Sequence, residues 1–141
     1  MTVSVTSAVG TPYRHTITAN GHTLYADAPQ SNGGQNTAPT PHELLLGALG
    51  ACTSMTVQMY ATRKGWDVQD VKVNLSETTT TKTDPATGAS RKVPKLEKAI
   101  EIKGNLSASE KARLEQVADA CPVNKLITGD KEVAASFDYV V

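Results

Sequence analysis

The stretch between Pro41 and Gly65 limits the possible fold more than any other part of the chain. Its body, Glu43-Leu-Leu-Leu-Gly-Ala-Leu-Gly-Ala-Cys52-Thr-Ser-Met55, is apolar or small on nearly every face of a helix. A helix of that kind has to be enclosed. Thr40 offers a capping hydroxyl and Pro41 a preset first helical residue, so the helix starts there. It turns amphipathic only toward Gln58-Met59-Tyr60, and Arg63-Lys64-Gly65 ends it with cations and then a glycine. At a rise of about 1.5 Å per residue this is ~35 Å of helix. A chain of 141 residues is too small to cover it on all sides. The pattern therefore predicts a second copy as the cover, in a homodimer.

Around this helix the punctuation is that of short strands and hairpins. Val3-Ser4-Val5-Thr6 alternates, Tyr13 to Thr18 is β-prone, and Asn20-Gly21 is a tight-turn pair leading into a strand over His22 to Ala26. Pro29 to Pro41, with Gly33-Gly34 and three prolines, is a loop, long enough to form part of a site. After the helix, Val71 to Leu75 alternates, as do Leu96, Lys98, Ile100 and Ile102. These predict two longer strands joined through the turn Asp84-Pro85-Ala86-Thr87-Gly88. Ser107-Ala-Ser-Glu110 is a capping box, and Leu114, Val117, Ala118 and Cys121 share one face of the helix it opens. Pro122 starts a short third helix, and Glu132 to Val141 is expected to be a final strand. The predicted order is βββ-α-ββ-α-α-β, an α+β fold in a single domain over residues 1–141.

Fourteen basic and fourteen acidic side chains cancel, and no basic stripe or charge block points to nucleic acid or anionic lipid. The uninterrupted apolar run, Leu44 to Cys52, is short of the ~20 residues that span a bilayer, so no membrane partner is expected. Met1-Thr2-Val3-Ser4 lacks the charged and apolar regions of a secretory signal, and a cytoplasmic location is the expectation. His15, His22 and His42 show no ligand spacing with the cysteines, and no metal is expected.

Two cysteines, Cys52 in the enclosed helix and Cys121 just before Pro122, carry whatever chemistry the chain has. Each fits two readings. A free cysteine is commonly a small buried hydrophobe. Two that meet in space form a redox pair: a thiolate cuts an O–O bond, and a second thiol condenses the sulfenic acid into a disulfide. Cys121, at the start of a short helix, is placed to favour a thiolate. Cys52, in mid-helix, gains nothing from a helix dipole and needs a cation from elsewhere. Arg14 is the only arginine before the helix.

Pro41-His-Glu-Leu-Leu-Leu-Gly-Ala-Leu-Gly-Ala-Cys52-Thr-Ser-Met-Thr and, far downstream, Ala120-Cys121-Pro122-Val123-Asn124-Lys125 together resemble the OsmC/Ohr family. The resemblance implies an intertwined homodimer with antiparallel sheets around central helices and sites at the subunit interface. It implies a thiol peroxidase in which Cys52 attacks an organic hydroperoxide or hydrogen peroxide and Cys121 resolves it. An external dithiol, lipoyl-linked in one branch, is the implied reductant, with no bound cofactor. The family's activating arginine and the acid that holds it suggest Arg14 and Glu43. The acid is displaced, however, because His42 directly follows Pro41. On a straight helix His42 lies about 80° from Cys52 and Glu43 lies on the opposite face. Glu43 is thus also a plain partner for the helix N-terminus. The alternative function is a non-catalytic dimer of the same fold that binds a small apolar or electrophilic ligand.

Overall fold

The structure, a computed structural model, describes residues 1–140. The chain divides into two compact units, Met1–Ala48 and a second beginning at Leu49.

The first unit is an antiparallel three-stranded sheet, β1 (Val3–Ser7), β2 (His15–Ala19) and β3 (His22–Ala26), in the order β1-β2-β3. The β2–β3 hairpin closes through Asn20 at φ 49° and Gly21 at φ 79°. Two successive left-handed residues match the right-handed twist of the strands, which is why Asn-Gly is favoured there. The following loop is held by its own backbone, with Asp27 N–H donating to Pro39 O at 3.1 Å and Asn36 N–H to Ala28 O at 3.1 Å. One turn of 3₁₀ helix, Gln30–Asn32, lies within it.

Helix α1 (Pro41–Lys64) begins in the first unit and continues into the second. Its N-terminus is a capping box: Glu43 N–H donates to Thr40 Oγ1 at 3.2 Å, and Thr40 N–H donates to Glu43 Oε2 at 2.7 Å. Two of the donors left unpaired at a helix start are satisfied this way. By length and composition α1 could cross a membrane, with a mean hydropathy of 1.3. In the second unit it instead buries a stripe of Leu49, Thr53, Val57 and Ala61, four residues apart and so on one face.

That stripe packs on a long hairpin, β4 (Asp70–Thr83) with β5 (Ser90–Lys103), and on α2 (Ala108–Asp119). Val57, Ala61, Val71, Leu114 and Ala118 are the buried centre, with Tyr60, Trp66, Val73, Ile100, Ile102 and Leu106 around it. Helix and sheet come close at Gly50, where a Cβ would lie 2.6 Å from Leu75 Cδ1. The hairpin turns at Asp84, whose carboxylate accepts from Ala86 N–H at 2.8 Å. The Ser107 capping box opens α2 as expected, and α3 (Pro122–Thr128) follows directly.

The α+β architecture and its element order are observed up to α3. The final strand is not: residues 132–140 carry no strand assignment, and Val141 lies outside the described residues. A strand exists only through a ladder partner, and this segment has none among the described residues. Val133, Phe137, Tyr139 and Val140 are accordingly exposed. A strand-like sequence alone does not supply a partner.

Candidate functional site

The two cysteines meet in the second unit, and neither is in a disulfide. Cys52 is half-buried on α1, while Cys121 is fully buried at 0% exposure. Cys121 is the N-cap of α3, and its Sγ accepts from the Asn124 N–H at 3.3 Å. Pro122, at the first helical position, has no N–H of its own to satisfy. Asn124 Nδ2 donates to Asp119 O at 3.0 Å, tying α3 back to the end of α2.

On the α1 side Thr53 Oγ1 lies 3.6 Å from Cys121 Sγ. The same hydroxyl donates to Leu49 O at 2.8 Å. A hydroxyl has one proton, so its use depends on the sulfur. Toward a thiol it keeps Leu49, and toward a thiolate it can turn and donate to Sγ.

The Cys52 thiol also hydrogen-bonds to the Cys121 sulfur. Burial pushes the Cys121 thiol up. The Asn124 N–H, the Thr53 hydroxyl, the Cys52 thiol and the Lys98 charge act the other way and outweigh it. Cys121 is therefore held below the ordinary thiol range.

Lys98 was hidden in plain sight. Leu96, Lys98, Ile100 and Ile102 form one alternating face of β5, and Lys98 shares its partial burial. Its side chain is 13% exposed, and its Nζ lies 3.4 Å from Ala118 O and 3.6 Å from Asp119 Oδ1. A lysine within an apolar alternation was the available signal. Thr53 gave none, since it acts through a contact that sequence spacing does not reveal, whereas the Asn124 N–H is the helix-start donor that the position of Cys121 before Pro122 implies.

Arg14 and Glu43 are occupied inside the first unit. Arg14 Nη1 donates to Thr37 Oγ1 at 2.7 Å and to Thr37 O at 3.2 Å, and its guanidinium lies 4.3 Å from the Tyr25 ring centre. Thr37 in turn donates to the buried Asp27, from Oγ1 at 2.6 Å and from its N–H at 3.0 Å. Glu43 closes the capping box on Thr40. Beside them an apolar cavity of about 560 Å³ is lined by Val5, Tyr13, Ile17, Ala26 and Leu44, with His15 and Asp27 on its wall.

The sequence pattern of the family described as OsmC-like protein matches residues 34–136, which include both cysteines. The chain belongs to that family. OsmC/Ohr proteins are associated with organic hydroperoxide resistance and redox roles.

Solved OsmC-like structures share the fold. A protein from Psychrobacter arcticus, described as a putative osmotic stress induced and detoxification response protein, is 23% identical with a TM-score of 0.68. The match covers 89% of this chain and 87% of that one. An OsmC-like protein from Mycoplasma pneumoniae is 19% identical, TM-score 0.68, over 91% and 86% of the two chains. An organic hydroperoxide resistance protein OsmC from Legionella pneumophila is 21% identical, TM-score 0.55, over 92% and 90%. No curated protein matches the sequence.

Proposed function

We propose that the protein is a thiol-dependent hydroperoxide reductase, with Cys52 as nucleophile and Cys121 as resolving thiol. One observation carries this reading: two free thiols meet, one half-exposed and the other buried in a setting that favours its thiolate. A hydroperoxide can reach the half-exposed Cys52 but not the enclosed Cys121.

The division of labour follows from the geometry. The Cys121 thiolate accepts the Cys52 proton as the Cys52 sulfur attacks the O–O bond. That bond breaks, Cys52 becomes a sulfenic acid, and the departing alkoxide recovers the proton from Cys121 to leave as an alcohol. Cys121 then attacks the Cys52 sulfur, forming the disulfide and releasing hydroxide, which takes a proton from solvent to become water. An external dithiol reopens the bridge at the accessible Cys52 sulfur. Cys121 departs readily as the leaving group, because a lower thiol pKa makes faster departure. Arg14 and Glu43 have interactions of their own in the first unit, and no step is assigned to them.

A second copy is part of the proposal. Met55 and Met59, one turn apart on α1, are 54% and 64% exposed, an apolar face for water to carry. The expected state is a dimer with an obligate-type interface. Sedimentation of a folded monomer at low micromolar concentration would remove that part.

The apolar cavity of the first unit favours a second reading, a binding module for a small apolar ligand. Thiol counting separates the two. Reduced protein mixed with one equivalent of cumene hydroperoxide is expected to lose both thiols within seconds, with alcohol as product. Thiols that survive the mixing favour the binding module.

A further inference from the structure

We propose that Lys98 is the positioning cation of the dithiol site, holding Cys121 ready as the group that closes the disulfide and leaves when it is reopened. The proposal rests on the redox reading above, but its test needs no hydroperoxide.

The placement follows from strand register and packing. Lys98 pairs with Leu75 across the β4–β5 ladder. Leu75 is also the side chain that packs against Gly50 on α1, less than one helical turn before Cys52 and Thr53. From the other direction, the Lys98 ammonium reaches Ala118 O and Asp119 at the end of α2, immediately before Cys121. Lys98 thus sits where three elements converge, on β5, beside α1 through Leu75 and against the last turn of α2, and from there its charge favours the Cys121 thiolate through space, as the smallest of the effects acting on it.

The energetic logic is that of a partly buried charge. A lysine on an apolar sheet face gives up hydration, and that is costly unless anions or carbonyls replace it. Ala118 O lies at the carbonyl-rich end of a helix, which carries partial negative charge. Asp119 adds a full charge, but its side chain is 80% exposed, so solvent screens much of the pair. The Cys121 sulfur, which feels the Lys98 charge, is enclosed and able to gain a full negative charge. The other groups facing it are the Thr53 hydroxyl and Cys52 thiol from α1 and the Asn124 N–H from α3. Lys98 is the only formal positive charge among them. Its field also falls on the reduction step. When a dithiol attacks Cys52 Sγ, the S–S bond breaks and its electron pair goes to Cys121, so negative charge grows beside the ammonium. The second thiol of the reductant then displaces its own mixed disulfide from Cys52.

Two variants separate charge from structure. Lys98→Gln keeps a donor for Ala118 O but removes the charge, and Lys98→Arg keeps both. In a Cys52→Ser background, thiolate absorbance followed against pH reports Cys121 alone. Lys98→Gln is expected to move that titration to higher pH, and Lys98→Arg to restore it toward the parent. In the two-cysteine protein oxidised with diamide, reopening by dithiothreitol at neutral pH is expected to slow about threefold or more in Lys98→Gln. Parent and Lys98→Gln titrations that coincide, with unchanged reopening rates, would overturn the proposal whatever the protein does to hydroperoxides. A titration that shifts in both variants alike would also overturn it, since only packing would then be at stake.

Discussion

The molecule lowers the pKa of two buried acids by nearly the same means, and the proposed chemistry uses only one of them. In the first unit the Thr37 hydroxyl and N–H are the leading causes holding Asp27 below its ordinary carboxylate value, with the Ala28 and Gln35 N–H groups adding to them. In the second, hydrogen bonds from Asn124, Thr53 and Cys52 overcome burial to hold Cys121 down. The difference lies in what the charged group can do next. Asp27 is fully used: Oδ1 accepts from Ala28 and Oδ2 from Thr37, and Arg14 completes the chain from the far side of Thr37. This network shapes a loop. Cys121 instead has a half-exposed thiol as one of its partners, so its stabilised charge can be spent on a covalent bond. A shifted pKa locates an organised acid; whether the acid is catalytic depends on its neighbour.

The comparison is broken most sharply at the cysteines. Cys52→Ser is expected to abolish hydroperoxide consumption outright. Cys121→Ser should allow one turnover, slower for want of the base, and end in a sulfenic acid trappable with dimedone. The opposite pattern, with turnover surviving in Cys52→Ser, would make Cys121 the nucleophile.

The next largest effect belongs to the first unit. Asp27→Asn places an amide N–H where a carboxylate oxygen accepted two bonds from Thr37, and it should lower the melting temperature by several degrees. The Cys121 titration should not move. Because the folded Asp27 pKa lies below 3.8, its contribution is fully present above that value and is lost as pH falls through the folded one. The stability gap between parent and variant should therefore be flat near neutrality and close in acid. Cys121 has the same sign in a different window. Its contribution is complete above the ordinary thiol value of 9.0 and is lost as pH falls through its folded value. In the reduced protein, the gap to Cys121→Ser should widen from neutral toward alkaline pH. A gap at position 27 that widens in acid would contradict the hydrogen-bond account.

The parts of this arrangement that could be read from sequence are those set by short-range chemistry. Asn20-Gly21 specifies its hairpin through backbone sterics, Thr40-Pro41 and Ser107 specify helix starts through capping, and Leu114, Val117 and Ala118 mark a buried face by period. Each signal lies within a few residues of what it determines. Cys52 and Cys121 were legible as chemistry, and the resemblance paired them. What makes Cys121 acidic was legible only in part: its place at the start of α3, with the Asn124 N–H, follows from Pro122, but Thr53 and Lys98 act on it only after α1 and β5 have packed. Glu43 shows the converse. Its spacing from Thr40 fits a local capping box, and the structure uses it for one. The tail departs from the expected strand for a third reason, since strand-like residues say nothing about the edge they would join.

The smallest expected effect tests whether Lys98 serves Cys121 or merely pairs with Asp119. The Lys98–Asp119 contact is 3.6 Å long, and the aspartate is 80% exposed. Exposed ion pairs contribute about 0–1 kcal/mol, so Asp119→Asn should change global stability by less than about 0.5 kcal/mol. Its effect on the thiol is more informative. Removing the carboxylate takes a negative charge from the vicinity of the sulfur and leaves the lysine charge less shared. Both changes favour the thiolate. The Cys121 titration should therefore move further down, by a small amount, in the same Cys52→Ser background used for Lys98. Salt supplies the control, because an exposed charge is screened over about 8–10 Å at physiological ionic strength while an enclosed one is screened much less. Raising salt should erase the Asp119→Asn shift yet leave most of the Lys98→Gln shift in place. If both vanish together, the lysine acts from the solvent side, and the hydrogen bonds from Asn124 and Thr53 carry the site alone.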